Sequence, residues 1–232
     1  MLKIITSGAF AAALEKILPI YSKKFNVSYK LYYGSSFGLA SDSIPSRIKK
    51  GDEFDIFFLA DSAIDLHSEE GILNIKSKYK IISSDIGVAV RENSKIYDIK
   101  TLESFKSVLI KAKSIALAAS ASGIYLQNIV IPKIFSNPGE ILNKSKQILG
   151  ERVGKVIARG EAEIGFQQLS ELIPIKGINI LGMLPIDIRK SFIFGCATSL
   201  KTNFKEDYVE LINFIRHIDN RSIIENTGVN IL

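Results

Sequence analysis

One cysteine stands in the whole chain, Cys196. No disulfide can therefore form within it, and a metal site built on paired thiolates is excluded. Phe194, Gly195 and Ala197 around it are apolar or small, so Cys196 reads as a small buried hydrophobe. Histidine is almost as scarce: His67 and His217 each fall in an expected helix, and neither neighbours Cys196. A Gly-x-Ser-x-Gly elbow and metal-ligand spacings are also missing. Catalysis is accordingly not expected, and neither a cofactor nor a coordinated metal is called for. No apolar run approaches the ~18 residues of a membrane span. The net charge of +6 comes from scattered lysines whose densest pairs, Lys23-Lys24 and Lys49-Lys50, sit beside expected helix ends. An aromatic-interleaved basic stripe is absent, which argues against a nucleic-acid partner and leaves only a mild attraction for small anions. No secretory leader pattern opens the sequence. The expected location is periplasmic or extracytoplasmic if a leader was removed, and cytoplasmic otherwise.

What is present is a chain of 232 residues, 47% hydrophobic, enough for a substantial core in one large or two small domains. The apolar run Lys3-Ile4-Ile5 gives way to the small-residue turn Thr6-Ser7-Gly8-Ala9-Phe10. Apolar side chains then recur at Leu14, Ile17, Leu18 and Tyr21 with helical period. Strand, tight loop and helix follow in that order. Val27 to Tyr33 alternates as a second strand and empties into Gly34-Ser35-Ser36-Phe37-Gly38. Phe54 to Leu59 is a near-continuous apolar run of the kind buried on both faces of a sheet, with Asp61 or Ser62 capping the next helix. Ile81 to Val90 is extended, and Ser114 to Ala118 is a strand that ends in Ala119-Ser120-Ala121-Ser122-Gly123. Helices follow over Tyr125 to Phe135 and Val153 to Ala158. Strands are expected at Glu163 to Gln168, Ile178 to Leu181 and Phe192 to Ala197, and an amphipathic helix at Tyr208 to Ile218. Alternation of strands and helices predicts doubly wound α/β sheets, and this number of strands fits two sheets better than one.

Three strand ends thus carry serine-rich loops. Open α/β sheets bind ligands beyond the carboxyl ends of their strands, where hydroxyls and backbone amides can surround an oxyanion without a compensating charge. Ser7, Ser35, Ser36, Ser120 and Ser122 all fall there. Each also has a plainer reading, as the cap of the helix that follows it.

Taken together, Thr6-Ser7-Gly8-Ala9-Phe10, Gly34-Ser35-Ser36, the block Arg47 to Phe57 (RIKKGDEFDIF) and Arg159 to Phe166 (RGEAEIGF) resemble the molybdate-binding proteins of ABC importers. These belong to the type II periplasmic-binding-protein superfamily, and the resemblance runs in order along essentially the whole chain. It implies an α/β fold of two doubly wound lobes, residues 1–83 plus 192–232 and residues 84–191. Two crossovers join them and a ligand cleft lies between. It further implies a monomer that binds a small oxyanion such as molybdate or tungstate and, if exported, hands it to an ABC permease. Carried over by position, Ser7 with Gly8, and Ser35 or Ser36, match donors from lobe one. Ser122 and Val153 match backbone-amide positions of lobe two.

Three departures stand out. The third loop is shorter than the family's and lacks its proline. Gln168 stands where the family commonly has a tyrosine, and Arg152 stands beside the Val153 position. A guanidinium fork suits a carboxylate, and an amide that both donates and accepts suits a ligand with hydroxyl or protonated groups. A binding protein or cytoplasmic sensor for a small organic carboxylate is therefore the alternative reading, with an enzyme on the same fold as the third.

Overall fold

Leu2–Thr6 forms the first strand, β1, and Ser7 turns the chain directly into α1, Gly8–Phe25. The helical period reads correctly: Phe10, Leu14, Ile17, Leu18 and Tyr21 are buried against the sheet. Lys23 and Lys24 occupy the last turn, where cations complement the helix dipole, and Asn26 ends the helix in the left-handed region at φ 56°. β2 (Tyr29–Tyr33), α2 (Ile44–Lys49), β3 (Ile56–Ala60), α3 (Asp61–Glu69) and β4 (Tyr79–Ser84) follow. All five residues of β3 are buried, as its continuous apolar run requires.

The computed structural model describes residues 1–38 and 40–232, which form two compact units, Met1–Ser84 with Phe192–Leu232 and Asp85–Ser191. The second unit contains β5 (Ile86–Arg91), α4 (Leu102–Lys111), β6 (Ile115–Ala118), α5 (Ala121–Tyr125), a π-helical turn (Leu126–Val130) and α6 (Ile131–Ile134). α7 (Gly139–Leu142), β7 (Ser145–Ile148), α8 (Val153–Ala158), β8 (Ile164–Gln168), α9 (Leu169–Leu172) and β9 (Ile178–Met183) complete it. The chain then returns to the first unit through β10 (Phe192–Thr198), α10 (Lys205–Arg216), α11 (Ile218–Glu225) and β11 (Asn230–Ile231).

Each unit has its own sheet, ordered β11-β4-β10-β3-β1-β2 in the first and β7-β6-β8-β5-β9 in the second. β1, β2 and β3 are mutually parallel, with Thr6 opposite Tyr33 and Phe58. β6 is parallel to both β7 and β8. In each unit these three strands end on the same edge, which aligns their following loops. Both sheets are mixed: β10 runs antiparallel to β3 and β4, and β5 runs antiparallel to β8 and β9. A parallel neighbour needs a crossover helix, and no helix of the same unit leads into β5 or β10.

The extended segment expected over Ile81 to Val90 is two strands, β4 and β5, which belong to different sheets and meet at Asp85. The last expected helix is longer and divided. His217 lies at the joint of α10 and α11, with its Nδ1 accepting from Asp219 N at 3.4 Å. β7, with two of its four residues exposed, carries no apolar pattern by which it could be found.

Candidate functional site

In the first unit the three parallel strand ends are stitched together locally. Ser7 N donates to Phe58 O at 2.9 Å, Gly34 N donates to Thr6 O at 3.1 Å, and Ala60 N donates to Ser36 Oγ at 2.9 Å. Gly34 is required here, because a β-carbon would lie 2.6 Å from Asp42 O. Ser7 precedes α1 in extended conformation, yet its side chain makes no capping bond, and its buried Oγ has no hydrogen-bond partner among the described residues. The plain cap reading of Ser7 therefore fails, and a buried hydroxyl without a partner costs about 1 to 3 kcal/mol unless something else supplies one. Gly8 is the first residue of α1, half-buried beside it. Ser35 is committed differently: its hydroxyl donates to Phe37 O at 2.6 Å. Ser36, by contrast, accepts through its oxygen and keeps its proton to donate. At the end of β3 the carboxylate of Asp61 pairs with Lys78 at 2.9 Å, and Lys78 also holds Asp65 at 2.6 Å, so this acid does not oppose an anion with an uncompensated charge.

In the second unit the ends of β6, β7 and β8 bring together Ser120, Ser122, Arg152, Val153, Gln167 and Gln168. Ser122 is fully buried, with its Oγ 3.4 Å from Ser120 Oγ. Gly123 follows because a β-carbon there would overlap the Ala118 carbonyl oxygen. The Val153 amide donates to Gln167 Oε1 at 2.8 Å, and Gln167 Nε2 donates to Glu171 Oε2 at 2.8 Å. A donor implied for the ligand is thus taken by a side chain of the same unit. Gln168 is buried at the end of β8.

Arg152 caps the start of α8 in extended conformation, half-buried. Its guanidinium has no hydrogen bond or ion pair among the described residues, yet its field reaches Glu171. Burial pushes the Glu171 carboxyl up to about 7, against the opposing pull of Arg152 and the Gln167 hydrogen bond. Gln167 and Glu171 were not singled out in the sequence. The signal was present as a Gln and a Glu four residues apart at a strand-to-helix junction, but Gln and Glu are ordinary surface residues in most helices.

The histidines lie elsewhere: His67 on α3 is buried with Nδ1 2.7 Å from Glu70 Oε2, and His217 sits between α10 and α11. Cys196 is buried, its Sγ 3.1 Å from the Tyr208 hydroxyl. Among the described residues no group of three or more His, Cys, Asp or Glu is placed to hold a metal, and no helix is long and apolar enough to cross a membrane.

The family model for the bacterial extracellular solute-binding proteins matches residues 2–230. The chain belongs to that family. A relative from a Pseudomonas species, named aconitate isomerase, is 32% identical over 228 residues, covering 98% of this chain and 87% of that protein. Among solved structures, the periplasmic molybdate-binding protein of Azotobacter vinelandii superimposes with a TM-score of 0.75 at 18% identity, covering 99% of this chain and 98% of that one. PEB3 of Campylobacter jejuni with L-phospholactate bound gives a TM-score of 0.76 at 14% identity, covering 99% of each chain. The fold is the two-lobed type II periplasmic-binding-protein fold that the sequence resemblance implied, and the family is one of solute-binding proteins.

Proposed function

We propose that this family member binds a small organic polycarboxylate of the aconitate kind, and that Arg152 grips one of its carboxylates. The observation that carries this is Arg152, a half-buried residue whose guanidinium donors have no partner among the described residues. Removing that cation from water is costly unless an anion meets it, and its planar fork matches a carboxylate through two parallel hydrogen bonds. Ser122 and Gln168 stand at neighbouring strand ends of the same unit, where they would serve the rest of the ligand. Ser7, Gly8 and Ser36 are proposed anion donors at the strand ends of the first unit, with Ser35 supporting their loop. The relative named aconitate isomerase supports the ligand class. It also admits a second reading, in which the bound acid is isomerised as well as carried.

A molybdate or tungstate site remains the competing ligand assignment, favoured by the unpartnered hydroxyl of Ser7, since such sites are built from neutral donors. Two of the neutral donors it would use are engaged, Val153 N by Gln167 and the Ser35 hydroxyl by Phe37 O. In either case delivery to an ABC permease is the proposed downstream step.

Calorimetric titration of trans-aconitate, cis-aconitate, citrate, molybdate, tungstate and sulfate into the wild type and Arg152→Ala tests the assignment. Tricarboxylates should bind, and the substitution should weaken them by about tenfold to a hundredfold. Molybdate heat without tricarboxylate heat would reverse the assignment.

A further inference from the structure

We infer that Glu171 is the catalytic proton carrier of an allylic isomerisation on a tricarboxylate held at Arg152. The inference rests on the polycarboxylate reading above and adds a residue and a step to it. Four observations converge on this carboxyl. It is half-buried on α9, next to the strand ends that carry Ser122, Arg152 and Gln168. Oε2 is held by Gln167, which is itself fixed by the Val153 amide, so the carboxyl has a defined orientation. Only that oxygen has a hydrogen-bond partner among the described residues, which leaves Oε1 to meet a substrate. Arg152, whose field acts on Glu171, is the cation proposed to hold the substrate carboxylate beside it.

Several other carboxyls of the second unit are committed. Glu151, near Arg152 in sequence, is bound by two nitrogens of Arg159 at 2.8 and 2.9 Å, and Glu161 is bound to the same guanidinium. Glu163 holds the Lys113 amide at 2.7 Å, and Asp85 accepts from Ser191. Both histidines and the cysteine of the chain belong to the first unit. Burial brings the Glu171 carboxyl to about 7, where it is found in both protonation states near neutral pH, as a group that must first accept and then return a proton requires.

The step balances without any co-reactant. In trans-aconitate a methylene carbon flanks the substituted double bond. Glu171 as carboxylate takes one methylene proton, and the electron pair of that C–H bond becomes the new C=C bond. The former π pair moves to the far carbon and is delocalised into its carboxylate, with Arg152 offsetting the charge. Glu171, now protonated, returns its proton to that carbon. The double bond has shifted by one position, and the product has the same constitution, so only its geometry about the double bond can change, from trans to cis. Nothing is oxidised or reduced.

Incubating wild type with trans-aconitate in heavy water, followed by proton NMR, reads both isomerisation and deuterium uptake into the methylene group. Cis-aconitate and deuterated methylene should appear. Glu171→Gln, which keeps the shape and the contact to Gln167, should slow both by at least about a hundredfold. Glu171→Asp, which keeps the acid at shorter reach, should restore part of the rate. Calorimetric aconitate affinity of Glu171→Gln should stay within several-fold of wild type. In wild type the exchange rate should climb between about pH 5 and about pH 9 as the carboxyl ionises, with Arg152 the charged group whose field acts on it among the described residues. Aconitate binding without exchange or isomerisation by wild type overturns the inference and leaves the binding reading in place. Absence of aconitate binding removes that reading as well. An undiminished rate in Glu171→Gln, or a flat pH profile if the variant does not fold, assigns the proton to another group.

Discussion

Val153 N and Gln167 Oε1 lie 2.8 Å apart, and this one hydrogen bond changes which polar groups are left free at the strand ends of the second unit. A backbone amide that the family resemblance offers to the ligand is closed by a glutamine from the neighbouring strand. The glutamine then passes its own amide to Glu171, so a neutral donor is exchanged for an oriented carboxyl beside Arg152.

Gln167→Ala should therefore be felt in two places. The buried Val153 amide loses its acceptor, which costs about 1 to 3 kcal/mol. Glu171 loses a hydrogen bond that favours its charged form and becomes harder to ionise. Urea unfolding measures the first effect, and a pH titration of the Glu171 carboxyl by carbon NMR measures the second. An unchanged unfolding midpoint would show that the amide finds another acceptor.

Ser7→Ala should separate binding from stability. The hydroxyl has no partner among the described residues, so its removal should leave the unfolding free energy within about 0.5 kcal/mol of wild type or raise it. Ligand affinity should fall by about 1 to 3 kcal/mol, the range for a hydrogen bond to a charged group. Calorimetry showing equal affinity in the two proteins would remove Ser7 from the site.

The raised pKa of Glu171 has a definite sign in stability. The folded protein holds this proton more tightly than the unfolded chain, in which the carboxyl titrates near its ordinary 4.5. The stability it contributes is therefore fully present below about 4.5, declines as pH rises, and is lost by the time pH passes about 7. Glu171→Gln cannot titrate, so its stability relative to wild type should improve between those limits. Melting temperatures of both proteins over that range, with no ligand present, give the comparison. Parallel curves would mean that the carboxyl titrates equally in both states.

Cys196 should be inert in the native protein. Burial pushes its thiol up to about 12, and Tyr208 covers it at 3.1 Å. Because thiolate is the reactive species, a disulfide-forming chromogenic reagent should label the native chain only at the rate of unfolding, and the urea-unfolded chain at once. Fast native labelling would show that the core around β10 opens locally.

Much of the fold was legible because it rests on short-range periodicity. The apolar stripe of α1, the continuous apolar run of β3 and the small-residue loops after β1, β2 and β6 are each contained in fewer than twenty consecutive residues. The family resemblance supplied their order in two lobes. Strand direction was not readable: Ile81 to Val90 is one extended stretch in sequence, and only pairing partners far along the chain assign its halves to two sheets. β7 escaped notice because an edge strand with exposed side chains needs no apolar pattern.

At the site the division is similar. Sequence alone determined which small and hydroxyl-bearing residues stand at strand ends, since a strand followed by a helix leaves its loop at the sheet edge. It also marked Arg152 and Gln168 as departures from the resembling family. What only the tertiary structure decided is which polar groups are already satisfied. Ser7 keeps an unpartnered hydroxyl among the described residues, Ser35 spends its own on Phe37, and Val153 spends its amide on Gln167, fourteen residues away. Hydrogen-bond saturation depends on which chain segments meet in space, and local sequence carries no record of a partner supplied by another strand.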